Sequence, residues 1–154
     1  MRFIKCAFLL LTVHFMSGCT QLSHTAPPPN SSEANRQTVL NFYEKGLNQK
    51  DATAAIKYLG KEYRQHNPNA ADGPEGFRLF ISYLKDKFPD SRSEIVSSFV
   101  DRNYVILHVH AVREPGTRGN AIIDIFRLED GKIVEHWDVT QAIPEKTASG
   151  NSMF

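Results

Sequence analysis

The fold is decided by residues 122–141, which run IIDIFRLEDGKIVEHWDVTQ. Apolar and polar side chains alternate on both sides of Asp130-Gly131, a dipeptide that favours the tight turn of a β-hairpin. A side-chain period of two is the pattern of strands that turn one face to a core. The same period upstream, with a turn at residues 101–103, completes four predicted strands, over 94–100, 104–112, 118–128 and 133–141.

Three helices are predicted before these strands. Residues 34–48 carry apolar side chains at helical spacing, and Asp51 is the predicted N-cap of a short second helix. A brief extended piece at 62–66 follows, and a third helix runs from Pro74 to Phe88, before a proline. We therefore predict an α+β protein in which three N-terminal helices pack in a strongly curved antiparallel sheet, a cone-shaped α+β barrel with a cavity open at one end.

The N-terminus has the three parts of a secretory signal. Arg2 and Lys5 precede an apolar run at residues 6–16, and small residues then lead into Cys19. The apolar run is shorter than the ~18 residues of a membrane-spanning helix, so we interpret it as a cleaved signal. The predicted organisation is a signal peptide over 1–18, a polar, proline-containing tether over 19–34 and one domain over 35–154.

The stretch Met16-Ser17-Gly18-Cys19 resembles the lipobox of bacterial lipoproteins, in which the cysteine becomes the lipidated first residue. The resemblance implies export and a lipid anchor on Cys19 that holds the protein to a membrane of the bacterial cell envelope, the outer membrane where the host has two. The alternative is cleavage nearby, with Cys19 lost or left free. Cys19→Ala distinguishes these alternatives, because it should release a lipid-anchored protein from membranes.

Charge and cysteine content exclude several functional classes. The formal net charge is +1 and no basic block occurs, so we expect no nucleic-acid partner. The two cysteines are Cys6, which lies in the predicted signal, and Cys19. The mature chain therefore forms no internal disulfide and offers no thiol for catalysis or for a zinc–sulfur site.

Residues 124–127 and 130–138 resemble the last hairpin of the SnoaL-like polyketide cyclases, which belong to the nuclear-transport-factor-2-like superfamily. The resemblance covers 35–154 and implies a homodimer that works with an acidic residue as base and without metal or cofactor. Because this scaffold carries many chemistries, the resemblance does not specify the reaction. An aldol-condensation subgroup of these families is also similar at residues 65–68, 72–73, 76–77, 108–110 and 150–154.

Strand alternation groups the residues that could carry chemistry. Asp124 shares a strand face with Ile122 and Phe126, and His108 shares one with His110. If both faces look into the cone, a carboxylate and two imidazoles meet in an apolar cavity. We expect Asp124 to act as general base, His108 and His110 to stabilise an enolate or return the proton, and His66 to orient the substrate. The remaining predicted pocket residues are Asn67, Phe77, Phe80, Tyr104, Ile122, Phe126, His136, Trp137 and Asp138.

Structural explanations stand beside these catalytic ones. Asp124 could only fix the register of the sheet through hydrogen bonds, and His136 with Asp138 could be a structural pair. His108 and His110 are also spaced for a zinc-like site that His66 or Asp124 would complete, although we expect no metal and no cofactor. The predicted function is a cofactor-independent lyase or isomerase acting on a small apolar carbonyl compound. The alternatives are a non-catalytic envelope lipoprotein that binds a hydrophobic ligand, and a dimeric interaction module.

Overall fold

Helices come first along the chain and strands follow. The computed structural model describes Pro28 and residues 31–154. The predicted signal peptide, Cys19 and most of the predicted tether lie outside these described residues. Among the helices in the described part of the chain, none is long and apolar enough to cross a membrane.

The helices form where the apolar spacing predicts them. The hydroxyl of Ser31 accepts a hydrogen bond from the backbone N–H of Ala34 and caps the first helix. Asp51 caps the second helix in the same way, through the backbone N–H of Ala54. In order, the elements are α1 (Ser32–Tyr43), a π-helical turn (Glu44–Asn48), α2 (Ala52–Ala55), a 3-10 turn (Ile56–Tyr58) and α3 (Gly73–Lys87).

Five strands form one sheet in the spatial order β1-β5-β4-β3-β2. Neighbouring strands β2 to β5 pair antiparallel, with irregularities in the register of β2 and of the β4–β5 pair that bend the sheet. The sheet is curved and does not close, because β1 and β2 remain its two edges. The strand bounds are β1 (Leu59–Gln65), β2 (Arg92–Asp101), β3 (Tyr104–Val112), β4 (Asn120–Glu129) and β5 (Lys132–Ala142).

The α+β class is confirmed, and one detail of the predicted sheet is wrong. The extended piece predicted at 62–66 belongs to β1, which pairs parallel with β5, so the sheet is mixed rather than wholly antiparallel. A parallel pair needs a long connection, and here the chain from β1 to β5 contains α3 and three strands. The alternation of side chains in so short a segment does not indicate which strand it pairs with.

The inner face of the sheet packs against the helices and forms the core. The odd-numbered residues of β3, among them Leu107 and Val109, are fully buried there. In the register of the sheet Leu107 lies opposite Asp124, and Asp124 lies opposite Asp138 on β5. Directly paired residues point to the same side of a sheet, so Asp124 and Asp138 also face the helices.

Candidate active site

A cavity of about 320 Å³ lies between the helices and the inner face of the sheet. This volume is at the lower end of the range for pockets that bind small molecules. Its wall combines apolar side chains, such as Phe77 and Phe126, with polar ones, such as Asp124 and Arg113. Of the predicted pocket residues, those that line this cavity are Asn67, Phe77, Phe80, Ile122, Asp124, Phe126, His136 and Asp138.

Asp124 is the centre of a buried hydrogen-bonded chain. The carboxylate is held by two side chains from different elements: the hydroxyl of Tyr43 donates to Oδ2 at 3.0 Å, and Nε2 of His136 lies 2.9 Å from Oδ1. Asp124 is 5% exposed and His136 is 7% exposed. A carboxylate removed from water in this way requires such partners, because burying it unpaired would be costly.

The partners of His136 determine where its protons lie. The other ring nitrogen, Nδ1, is 2.8 Å from Oε1 of Gln65, and the backbone N–H of Asn67 donates to the same Oε1 at 2.9 Å. A backbone N–H can only donate, so this atom is the amide oxygen, and Nδ1 of His136 must carry a proton to bind it. The contact between Nε2 and Asp124 then holds one further proton. That proton makes either an imidazolium with a carboxylate or a neutral imidazole with a carboxylic acid.

Two tyrosines supply neutral O–H groups to the same cavity. Burial, followed by the nearby Asp124 carboxylate, raises the pKa of Tyr43 and of Tyr63 well above the usual value for a phenol. Tyr63 accepts a hydrogen bond from Nε2 of Gln65 at 3.2 Å. Its own proton has no acceptor among the described residues, so Tyr63 is a preformed donor on the cavity wall.

Asp138 is held on the side of the cavity by Asn67. The amide Nδ2 of Asn67 lies 2.8 Å and 2.6 Å from the two carboxylate oxygens of Asp138. One ligand atom each from Asp124, His136 and Asp138 lie within 4.8 Å of one another, a donor set that could hold a divalent cation. Each of these side chains already has a hydrogen-bond partner. Asp138 bonds Asn67, so the structural pair of His136 with Asp138 that the sequence suggested is not formed.

The expectation that His108 and His110 share a cavity with Asp124 is wrong. In the β3–β4 register they lie opposite Ile123 and Ala121, and they project from the outer face of the sheet. Their rings pack against Phe154, with centroids 5.0 Å and 4.8 Å away. The sheet therefore separates both imidazoles from Asp124. Among the described residues, no group of three potential metal ligands includes His108 or His110, so the zinc-like set is not formed.

Three more predicted site residues lie outside the cavity. The ring of Trp137 stacks on His66 with centroids 4.7 Å apart and approaches Tyr104 at 6.4 Å. Trp137 pairs with Ile125 of β4, which places it on the outer face, and His66 Nε2 bonds Oε1 of Glu135 at 2.9 Å. His136, not Trp137, is the residue of β5 that points inward, and the expectations that His66, Tyr104 and Trp137 line the pocket are wrong.

Sequence reasoning missed several residues that line the cavity with polar groups, among them Tyr43, Gln65, Tyr63 and Arg113. Tyr43 counted only as an apolar member of α1, and Gln65 only as part of a motif. Tyr63 and Arg113 were not singled out. The signal that could have located Arg113 is its parity with Leu107 and Val109, the apolar set of β3: it continues that inward-facing series one residue beyond the strand.

The curved open sheet packs around the helices, with a polar cluster on its inner face. Residues 39–136 match the family model of the SnoaL-like domain, which is more than half of the chain. The chain belongs to the SnoaL-like domain family. Among curated proteins, none matches the sequence.

Solved structures share this fold at low sequence identity. TsrD from Streptomyces laurentii is 23% identical with a TM-score of 0.61, covering 72% of this chain and 91% of that one. A SnoaL-like protein of unknown function from Burkholderia thailandensis is 14% identical with a TM-score of 0.62, covering 74% and 99%. A proposed SnoaL-like polyketide cyclase from Jannaschia sp. is 17% identical with a TM-score of 0.60, covering 77% and 92%. These similarities establish the fold and not the reaction.

Proposed function

We propose that this protein is a cofactor-independent lyase or isomerase that moves a proton α to the carbonyl of a small, largely apolar compound. The observation that carries the proposal is the buried Asp124–His136 pair at the wall of an apolar cavity, where Nε2 of His136 lies 2.9 Å from Oδ1 of Asp124. A carboxylate paired with an imidazole can accept and return a proton without leaving its place.

The reaction requires three groups of this chain. With His136 in the imidazolium form, the Asp124 carboxylate takes the proton from the carbon next to the carbonyl. The electrons of the broken C–H bond pass to the carbonyl oxygen, where the free O–H of Tyr63 donates to the developing enolate. In a ligand with a C=C bond next to the α-carbon, return of the same proton from Asp124 to the far carbon of that bond shifts the double bond and gives an isomer; return to the α-carbon gives exchange. Atoms and charge balance with no co-reactant.

The apolar wall contributes by excluding water. Phe77 and Phe126 are almost fully buried and line the cavity together with Ile122. Electrostatic interactions of the enolate with Tyr63 gain strength in such surroundings, because few mobile dipoles compete for the charge. The same wall also supports the second candidate function, a binding protein that holds an apolar ligand without changing it.

Deuterium exchange tests the proposal without knowledge of the substrate. Two ketones are incubated with the protein in D2O, the neutral 1-tetralone and the acidic 4-oxo-4-phenylbutanoate, and loss of the α-proton signal is followed by NMR. We expect exchange with at least one ketone to exceed that in buffer, and Asp124→Asn to reduce it by about 10²–10⁴-fold. The matched control is His108→Asn, which changes an imidazole on the outer face and should leave exchange unaltered.

The outcomes separate the two candidate functions. Exchange that Asp124→Asn leaves unaltered would remove Asp124 as the base. If both ketones bind and neither exchanges faster than in buffer, the reaction is excluded for them and the binding function is favoured.

A further inference from the structure

Arg113 brings a positive charge to the cavity that the proposed reaction does not use. It follows β3 directly and continues the inward-facing series that ends with Ala111, and it lines the cavity together with Asp124. Its guanidinium lies over the ring of Phe80, with 5.5 Å from Cζ to the ring centroid. Contact with an aromatic face holds a guanidinium in place and leaves its N–H groups free to donate.

Those N–H groups have no acceptor in the described part of the chain. Arg113 forms neither a hydrogen bond nor an ion pair there, whereas Arg127 bonds both Glu129 and Glu135. Burial lowers the pKa of Arg113, and the nearby Asp124 carboxylate opposes this effect. An arginine nevertheless stays charged at any ordinary pH. A half-buried charge without a hydrogen-bonded partner is costly, and a ligand could remove that cost.

We infer that Arg113 binds a carboxylate of the ligand, so that the substrate is an apolar oxoacid with a carbonyl at one end and an acid group at the other. This inference deepens the proposed function and rests on it for the reaction, although not for the binding. The planar guanidinium matches a carboxylate with two parallel hydrogen bonds.

The strand register gives the order of groups along such a ligand. On β4 the inner-face residues run from Asp124 through Ile122 to Asn120, and Asn120 lies opposite Ala111, two residues before Arg113. The cavity wall is therefore polar at Asp124, apolar at Ile122 and polar again near Arg113. An oxoacid whose carbonyl and carboxylate are separated by an apolar segment follows the same order.

The charges of the cavity favour a monoanion. Arg113 is the one arginine or lysine among the described lining residues, and Asp124 and Asp138 also line the cavity. A carboxylate can pair with Arg113 alone. A phosphate would bring a second negative charge towards two aspartates, and like charges at short range repel.

The test compares two ligands with the same carbon skeleton, one with a carboxylate and one with a neutral amide. Binding of 4-oxo-4-phenylbutanoate and of its neutral amide, 4-oxo-4-phenylbutanamide, is measured by calorimetry at neutral pH. We expect the wild-type protein to bind the acid about tenfold or more tightly than the amide, as charge-assisted hydrogen bonds imply. Arg113→Gln should abolish this preference and leave amide affinity unchanged, and Arg113→Lys should retain part of it. The matched control is Arg118→Gln, on an exposed arginine that does not line the cavity.

Each outcome decides the inference. Equal affinities for acid and amide in the wild type, no binding of either, or a preference that survives in Arg113→Gln would overturn it. Asp124→Asn separates the inference from the proposed function, because it should abolish deuterium exchange and keep the preference for the acid. A preference for the acid without exchange in the wild type would leave Arg113 as the anion-binding residue of a non-catalytic pocket.

Discussion

His136 and Asp124 contact each other diagonally across two strands: Nε2 of the imidazole lies 2.9 Å from Oδ1 of the carboxylate. In the sheet register His136 is opposite Phe126, and Asp124 is opposite Asp138, so the two residues are offset by one inner-face position. Diagonal neighbours on one face are within reach of long side chains. The strand register therefore positions the two side chains next to each other, and Gln65 holds the other edge of the imidazole.

Removing the acceptor of His136 Nδ1 should weaken the reaction by loosening the imidazole. In Gln65→Met, Nδ1 loses its amide oxygen, so the ring can adopt either tautomer and rotate. We expect a fall of about 10–100-fold in exchange rate. Ring nitrogen NMR of His136 should show a proton on Nδ1 in the wild type and a mixture in the variant. A wild-type His136 with a bare Nδ1 would contradict the proton assignment.

Tyr63→Phe should separate the reaction from binding. The variant deletes one hydroxyl whose proton has no acceptor among the described residues, so we expect exchange to fall by about 10²-fold or more, with nearly unchanged affinity for ketones. The comparison variant is Tyr43→Phe, which leaves Oδ2 of buried Asp124 without its donor and should cost about 1–3 kcal/mol of unfolding free energy. Equal losses of ketone affinity and of rate in Tyr63→Phe would argue against the enolate role.

We expect the free energy of unfolding to fall in acid because of Glu135, which lies on the outer face of the sheet. The hydrogen bond from His66, followed by that from Arg127, lowers the pKa of Glu135. A carboxylate whose pKa is lower in the folded state stabilises fully above its unfolded pKa, about 4.3, and loses this contribution as pH falls through the folded value. Urea unfolding at pH 6 and at pH 3 should show a smaller loss of unfolding free energy in Glu135→Gln than in the wild type. Identical losses in the two proteins would contradict the assignment.

We propose that the outer face also binds a second copy of the chain. Phe99 is 59% exposed, Ile123 is 40% exposed and Val139 is 72% exposed. All three project from that face, because Phe99 pairs with Ile106 and Ile123 pairs with Val139 in the sheet register. Exposed apolar surface of this kind is typical of interfaces. Val139→Asp should therefore convert a dimer to a monomer in sedimentation experiments. Leu79→Asp, on α3 and 61% exposed, is the control that should not. A wild type that sediments as a monomer at high concentration would end this proposal.

The sequence predicted the elements better than the faces they turn inward. Strand β3 was predicted with its observed bounds, because an uninterrupted alternation marks a strand wherever it packs. The same alternation did not indicate whether the odd-numbered or the even-numbered side chains of β3 face the core. Leu107 and Val109 face the interior, because burying an apolar side chain breaks no hydrogen bond with water. Burying His108 and His110 there would require new hydrogen-bond partners.

The missing part of the site depends on contacts between distant segments. Tyr43 and Asp124 are 81 residues apart in the chain, and His136 meets Gln65 across 71. No local pattern predicts such pairs, because they arise only when β1 joins the edge of β5 and α1 covers the sheet. Asp124 itself was placed inside by its parity with Ile122 and Phe126, a purely local signal.

The cavity keeps its shape because Gly46 has no side chain. This glycine is buried in the π-helical turn, and a Cβ built on it would lie 2.6 Å from Cζ of Phe77 and 3.4 Å from Cβ of Ala55. In Gly46→Ala the phenyl ring must therefore move, and its free side is the cavity. We expect the variant to bind 4-oxo-4-phenylbutanoate several-fold more weakly, because the cavity is smaller. Alanine also favours the helical backbone by up to about 1 kcal/mol.

The double variant Gly46→Ala/Phe77→Leu removes the tip of the ring that the new methyl group meets, so it should recover most of the affinity. A double-mutant cycle measures this coupling. Additive losses in the double variant would mean that Phe77 does not transmit the change to the cavity.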